Sequence, residues 1–106
     1  MLLVYFLCDR NNNCIKIGYT KRDIITRKNE LSTGNPNKIF IIGFVQAGTR
    51  SLELELHKKF KYARVSGEWF KINEPLLSYI KSNSDMMAEV ENVNGKLYIY
   101  KKMKCI

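Results

Sequence analysis

This sequence of 106 residues lacks the long apolar runs that anchor a chain in a membrane. No stretch approaches the roughly 20 apolar residues that span a bilayer. The segment from Met1 to Cys8 is too short, and lacks the basic start, for a secretory signal. The sequence therefore predicts a soluble, unprocessed protein of the cytoplasm or nucleus with no membrane partner.

Cysteine is scarce, and its spacing excludes two common ways of stabilising a small protein. There are three cysteines, an odd number, and no two have the CxxC spacing of zinc or redox sites. Cys8 and Cys14 flank an expected turn and could meet across it. Reduced thiols are nevertheless the default in the cytosol, so neither a disulfide framework nor a zinc site is predicted.

Acidic residues are also few, and this imbalance gives the first indication of a partner. The chain has 18 Lys and Arg against 10 Asp and Glu, which leaves a net charge of +8. Lys or Arg side chains that meet phosphates release condensed counterions, so such a surplus favours a polyanion. Basic proteins are often merely soluble, however, and charge alone does not decide between the two interpretations.

The pattern of apolar residues predicts an α/β fold of the α+β type. Apolar segments bounded by turn residues indicate strands, and apolar residues recurring every four positions indicate helices. The expected elements are a hairpin of residues 2–8 and 14–19, a helix of residues 23–33, a strand of residues 38–46, a helix from Thr49 or Ser51 to about Lys61, an extended segment of residues 67–72, and a helix that has Pro75 in its first turn and ends near Asn83.

A second hairpin is expected near the C-terminus, where Asn94-Gly95 separates residues 89–93 from residues 96–100. We predict a small, mostly antiparallel three-stranded sheet flanked by helices, with this hairpin added. Residues 1–84 would form the main domain, and residues 85–106 an extension packed on it. A hydrophobic content of 45% suffices for one core.

Several short motifs, taken together, resemble the GIY-YIG nuclease superfamily. The similarity is to the branch found in phage and large-virus open reading frames and in a meiotically upregulated fungal protein. It covers residues 3 to about 72, and each motif alone is weak. The motifs are Val4-Tyr5-Phe6, Lys16-Ile17-Gly18-Tyr19-Thr20, Arg27, Leu31-Ser32-Thr33-Gly34-Asn35-Pro36, Glu53 with Leu56-His57, and Gly67-Glu68-Trp69-Phe70.

The resemblance implies a catalytic site for hydrolysis of a phosphodiester bond. Tyr5 would position or deprotonate the attacking water, and Arg27 would hold the scissile phosphate with its planar guanidinium. Glu53 would be the protein ligand of Mg²⁺ or Mn²⁺, since a hard cation can complete its shell with waters and substrate oxygens. Three further basic residues, Lys21, Arg22 and Lys28, would contact the nucleic-acid backbone.

The chain departs from the family pattern at three points. Leu3 replaces the glycine of the first half-motif, which affects packing. Lys16 replaces the tyrosine of the second half-motif, where an ammonium beside Tyr5 would stabilise the phenolate form. The late asparagine of the family has no clear match.

Several of these residues have an alternative role that is only structural. Tyr5 could be an ordinary core tyrosine, and Tyr19 a surface aromatic rather than a hydroxyl facing the phosphate. Glu55 and Glu68 compete with Glu53 for the metal; Glu55 faces Lys59 one turn away, and Glu68 lies in a segment expected to shape the fold. His57 could transfer protons, contact phosphate or serve structure alone.

The sequence thus predicts a metal-dependent DNA endonuclease. The alternative is a non-catalytic nucleic-acid-binding or interaction module on the same scaffold, since a fold does not fix a function. Branched DNA and RNA remain open as substrates, and no pattern indicates an oligomeric state. Because the chain has no separate recognition domain, we expect weak sequence specificity and a strong dependence of binding on salt.

Overall fold

Two apolar segments at the N-terminus pair as a hairpin and form the centre of the fold. The computed structural model describes residues 3–21, 23, 25–26, 39–46 and 49–101. In chain order its elements are β1 (Leu3–Asp9), β2 (Cys14–Thr20), β3 (Ile39–Gln46), α1 (Arg50–Lys59), a 3-10 turn (Lys61–Ala63), β4 (Arg64–Ser66), β5 (Trp69–Lys71), α2 (Glu74–Asn83), β6 (Ala88–Val93) and β7 (Lys96–Lys101).

The turn between β1 and β2 is stabilised by the side chain of Asp9. One carboxylate oxygen accepts the backbone N–H groups of Asn11 at 3.0 Å and Asn12 at 3.3 Å. Asn13 then takes the left-handed conformation, with φ of 52°, which asparagine tolerates better than most residues. The predicted turn chemistry of this segment is confirmed.

The main sheet has five strands in the order β3-β1-β2-β5-β4. All of its neighbouring strands pair antiparallel. The first three strands match the predicted sheet, and the extended segment expected around Trp69 becomes β5, which pairs with β2 beyond the predicted three. The fold class is confirmed: an α+β protein with an antiparallel sheet, helices packed on it, and a C-terminal hairpin.

The alternation of side chains along β1 and β2 divides the sheet into two faces. One face, which we call the helix face, carries Val4, Phe6, Ile15 and Ile17 and packs against residues of α1 and α2 in the main core. The opposite face, the Tyr5 face, carries a smaller cluster whose fully or largely buried members are Tyr5, Leu7 and Ile39.

Both described helices begin at side-chain caps. The Thr49 hydroxyl accepts the N–H of Leu52 at 3.1 Å, and the Asn73 side-chain oxygen accepts the N–H of Leu76 at 3.0 Å. Pro75 lies in the first turn of α2, where its missing N–H costs no helical hydrogen bond. The predicted positions of both helices are confirmed.

The helix predicted to start at Asp23 is only partly visible. The Asp23 carboxylate accepts the N–H of Ile25 at 2.9 Å, as an N-terminal cap does. The remainder of that predicted helix lies outside the described residues.

The C-terminal hairpin turns at Asn94 and Gly95, whose φ angles of 52° and 85° fit the two-residue turn expected there. The Met87 N–H donates to the Ile42 carbonyl at 2.9 Å, and the Asn13 side-chain amide donates to the Leu97 carbonyl at 3.0 Å. Ala88 and Ile99 belong to the main core. The hairpin therefore contacts both the sheet and its core.

Cys8 and Cys14 are both buried, and no disulfide joins them. Cys8 pairs with Ile15 in the sheet and Cys14 pairs with Asp9, which places the two thiols on opposite faces. Neither α1 nor α2 is long and apolar enough to cross a membrane, and the other described residues contain no such helix.

Candidate active site at the edge of strand β2

Tyr5 lies across the strand that carries the second half-motif. It pairs with Gly18 and is fully buried. A Cβ atom at Gly18 would collide with the Tyr5 ring and its hydroxyl. The absence of a side chain at Gly18 thus lets the ring extend over β2 and brings the hydroxyl above this strand.

Lys16 lies on the same face of β2, two residues before Gly18. Its side chain is largely buried, and its Nζ lies 2.7 Å from a carboxylate oxygen of Glu68. The ammonium is also 5.7 Å from the centroid of the Trp69 ring. Lys16 and Tyr5 lie on one face of the sheet, as predicted. In addition, Lys16 has a carboxylate partner in Glu68.

Beyond Lys16, β2 no longer pairs with β5, so other parts of the chain can contact its backbone on that side. Ile17 donates its N–H to the Glu68 carbonyl at 3.0 Å. In a strand the N–H and C=O of one residue point to the same side, so the Ile17 carbonyl also faces this edge. The His57 Nε2 lies 2.9 Å from that carbonyl.

Because a carbonyl only accepts hydrogen bonds, Nε2 of His57 must carry the proton in this contact. The His57 ring also packs edge-on against Phe70, with centroids 5.1 Å apart. Of the roles considered for His57, the structural one accounts for both contacts. His57 fixes α1 against the edge of β2, and this contact positions the residue one turn earlier, Glu53.

Glu53 is a buried carboxylate, with 3% of its surface exposed. Burial raises the pKa of the Glu53 carboxyl, and the nearby negative charge of Glu68 raises it further, whereas the charges of His57, Arg50 and Lys16 lower it. The exposed guanidinium of Arg50 lies 3.8 Å from a Glu53 carboxylate oxygen. The influence of both Glu68 and Lys16 on this pKa means that Glu53 lies within electrostatic range of that ion pair.

Candidate side chains lie on both faces of the sheet around residues 16–18 of β2. Tyr5 and Lys16 lie on the Tyr5 face, whereas α1, which carries Glu53 and His57, packs on the helix face. Glu68, in the turn before β5, pairs with Lys16, and the charges of both act on Glu53. A phenol, an ammonium and two carboxylates are thus the groups available around this part of β2, a set that could position a water, bind a cation and hold an anionic oxygen.

Tyr19 is not part of this group. It pairs with Val4 and packs half-buried against the core of the helix face. The two-residue period of a strand directs neighbouring side chains to opposite faces, so Tyr19 points away from Tyr5 and Lys16. This placement gives no support to a hydroxyl beside Tyr5 and corresponds to a packing role.

Three predicted residues, Arg22, Arg27 and Lys28, lie outside the described part of the chain. The phosphate clamp assigned to Arg27 and the backbone contacts assigned to Arg22 and Lys28 therefore stay predictions. Lys21 is described and exposed. It directly follows β2, at the end of the strand that carries Gly18.

The sequence offers Glu68 as a competitor for the metal and as part of a segment that shapes the fold, but does not predict it as the partner of Lys16. A usable signal existed in the second half-motif. Lys16 stands between Ile15 and Ile17 in a strand expected to be buried, and a buried ammonium requires a carboxylate partner. Glu55, the other competitor, is exposed, and its charge acts on Tyr79, away from this edge.

The donor set at this edge suits a hard divalent cation. No three His, Cys, Asp or Glu side chains converge within the described part of the chain, so a bound ion would depend on carboxylate oxygens plus water. Mg²⁺ accepts such a site with one or two carboxylates. Burial raises the pKa of the Glu53 carboxyl and the charge of Glu68 raises it further; a bound cation would favour its ionised form.

An open cavity of about 650 Å³ lies elsewhere, between β3 and the C-terminal end of α2. Its lining includes Phe44, Gln46, Lys81 and Asp85 and none of the residues at the edge of β2. The candidate site is therefore a sheet edge rather than this cavity.

Comparison with known protein families agrees with the extent of the motifs. The family model of the T5orf172 domain matches residues 3–91. The chain belongs to the T5orf172 domain family. This domain is associated with phage open reading frames and related to nuclease-type domains. The T5orf172 match includes all described residues of the candidate site and ends within β6, before β7. Neither a curated protein nor a solved structure matches the chain significantly.

Proposed function

We propose that this T5orf172 domain is a metal-dependent endonuclease of the GIY-YIG type that hydrolyses phosphodiester bonds in DNA. The observation that supports the proposal is that the Tyr5 ring lies over Gly18 on the face of β2 that also carries Lys16, while α1 holds a buried carboxylate, Glu53, on which the charge of Lys16 acts. These residues occupy the positions of the family motifs, and they come from β1, β2 and α1. A buried carboxylate with a raised pKa is the kind of group that functional sites concentrate.

The proposed mechanism begins with the Tyr5 hydroxyl, which orients or deprotonates the attacking water. Positioned general bases of this kind contribute about 10²- to 10⁴-fold to rates. The Lys16 ammonium stabilises negative charge on the phenol or on the phosphate. Arg27 binds the scissile phosphate, for which a guanidinium has the matching planar geometry.

Glu53 would hold Mg²⁺ or Mn²⁺. When bound, the ion would stabilise the charge that develops on the phosphate and on the leaving oxygen. The net charge of +8 and the exposed Lys21 favour a polyanionic substrate. The phage association of the family agrees with a phage- or virus-encoded enzyme.

The test is nicking of supercoiled plasmid DNA by the purified protein, with Mg²⁺, with Mn²⁺ and with EDTA. We expect nicking by the wild type only when a divalent ion is present. Tyr5→Phe, Glu53→Gln and Arg27→Ala should each reduce the rate at least 100-fold, as expected when a positioned catalytic group is removed. Circular dichroism should show that each variant remains folded.

Glu55→Gln is the matched control, because it removes one carboxylate from the same helix at an exposed position. It should nick at the wild-type rate. A wild type that binds DNA but never nicks it would favour the non-catalytic module. Full activity of Glu53→Gln would refute the assignment of the metal site. Parallel assays with branched DNA and structured RNA would define the substrate.

A further inference from the structure

Lys16 is a buried cation that lies beneath its partner. Its side chain is 9% exposed, whereas that of Glu68, whose carboxylate oxygen is 2.7 Å away, is 39% exposed. The ring of Trp69 packs on the same ammonium. An anion that approaches Lys16 from solvent therefore meets the Glu68 carboxylate first.

Hydrogen bonds hold the backbone around Glu68, while its side chain is partly exposed to solvent. The Glu68 carbonyl accepts the N–H of Ile17 at 3.0 Å. The preceding turn is held by Arg64, whose Nε donates to the Gly67 carbonyl at 2.8 Å. The Glu68 carboxylate, at the end of three rotatable bonds, can leave Lys16 by side-chain rotation without unfolding the β4–β5 hairpin.

The charges near Lys16 also favour replacement of Glu68 by a phosphate. Glu68 and Glu53 carry like charges close enough to interact, so rotation of Glu68 away from this edge relieves repulsion. A phosphate oxygen would then provide Lys16 with the charge-assisted hydrogen bond that Glu68 had supplied. Lys16 would remain paired in both states, as a buried ammonium requires.

We propose that Glu68 is an internal competitor of the substrate: it occupies Lys16 in the free protein and is displaced by a nucleic-acid phosphate. This inference rests on the proposed binding of nucleic acid but not on cleavage. Glu68 thereby lowers the affinity for nucleic acid and keeps Lys16 neutralised until a phosphate arrives.

The experiment measures binding of a fluorescein-labelled DNA duplex by anisotropy in EDTA, which prevents metal-dependent cleavage. Four proteins are compared with the wild type: Glu68→Gln, Lys16→Gln, the double variant, and Glu55→Gln. We expect Glu68→Gln to bind about tenfold more tightly, as a charge-assisted hydrogen bond becomes available to DNA. The double variant should bind no more tightly than Lys16→Gln, because Glu68 acts through Lys16.

Glu55→Gln controls for the general effect of removing one negative charge and should change the affinity less than twofold. Equal tightening by Glu55→Gln and Glu68→Gln would overturn the inference, as would tightening that persists without Lys16. An unchanged affinity of Glu68→Gln would overturn it too. A wild type that binds no DNA would refute the proposed function itself, a result distinct from binding that ignores Glu68.

Glu68→Asp provides a second test if Glu68→Gln does not fold. It keeps the negative charge but shortens the side chain by one methylene, which weakens its hold on Lys16. Tighter binding by Glu68→Asp supports competition, because the net charge is unchanged. Weaker or equal binding contradicts it.

Discussion

The ring of Tyr5 lies over Gly18, its partner across the central strand pair. The first half-motif thus supplies a phenol, and the second supplies the gap into which the phenol fits. The glycine has a steric role rather than a conformational one, since a side chain at this position would meet the Tyr5 ring. The relationship connects the two motifs physically.

Gly18→Ala should destabilise the protein by about 1–3 kcal/mol, the usual cost of overpacking a filled core. Tyr5 is fully buried, so its ring has little space into which it can move. Urea unfolding at pH 7 measures the change. Adding Tyr5→Leu removes the ring, and the double variant should lose less stability than the sum of the single changes. Wild-type stability of Gly18→Ala would contradict the packing described.

Glu53→Gln should stabilise the protein while it removes the carboxylate needed for the proposed function. Burial, followed by repulsion from Glu68, raises the pKa of Glu53. Protonated Glu53 therefore stabilises the folded state fully below the ordinary pKa of 4.5. This stabilisation is lost as pH rises through the higher pKa of the folded state. At pH 7 the neutral amide should gain about 1 kcal/mol, or roughly 4 °C in Tm.

Thermal unfolding with and without Mg²⁺ provides the control for Glu53→Gln. An ion that binds only the folded wild type raises its Tm, and the variant should show no such increase. At pH 4 the difference in Tm between the two proteins should become smaller. A Tm of Glu53→Gln several degrees below that of the wild type at pH 7 would show that the Glu53 charge is stabilising.

Much of the fold could be predicted because its signals are local. The caps at Thr49 and Asn73, the turn after Asp9 and the Asn94-Gly95 hairpin each depend on a few neighbouring residues. The four-residue spacing of Leu52, Leu56 and Phe60 also fits the buried side of α1, and Glu53 and His57 lie beside that stripe. Such local signals fix the elements and the faces they bury.

The arrangement at the edge of β2 depends on contacts that local patterns do not encode. Glu68 and Lys16 are far apart in sequence, and their pairing follows from the antiparallel register of β5 on β2. The place of Tyr19 could have been predicted, since a strand that directs Lys16 and Gly18 to one face must direct Tyr19 to the other. The family resemblance concealed this simple consequence of strand geometry.

The buried thiol of Cys8 should make the protein less stable at alkaline pH. Burial, with smaller effects from Cys14 and Asp9, raises the pKa of Cys8 to about 12, from 9.0. The stability contribution is complete below pH 9 and is lost as pH rises toward 12, because only the unfolded chain ionises readily there. Between pH 8 and 10 the loss should be about 1 kcal/mol.

Cys8→Ala should unfold with a smaller change in stability between pH 8 and 10 than the wild type. Urea unfolding at pH 8 and at pH 10 measures this difference. The packing lost with the sulfur is the same at both pH values, so it cancels when the two are subtracted. Equal pH dependence in the two proteins would show that Cys8 ionises in the folded state.

Affinity for DNA should fall steeply with salt if Lys21, Arg22, Arg27 and Lys28 contact phosphates. Neutralising about four phosphates gives a slope of about −3.6 in log K against log salt, a loss of about 150-fold between 50 and 200 mM. Each of Lys21→Gln, Arg22→Gln and Lys28→Gln should reduce the slope by about 0.9. Lys81→Gln, at the far end of α2, is the control and should preserve it. Because counterion release is independent of base sequence, unrelated duplexes should give the same slope, and a flat affinity would exclude the backbone contacts.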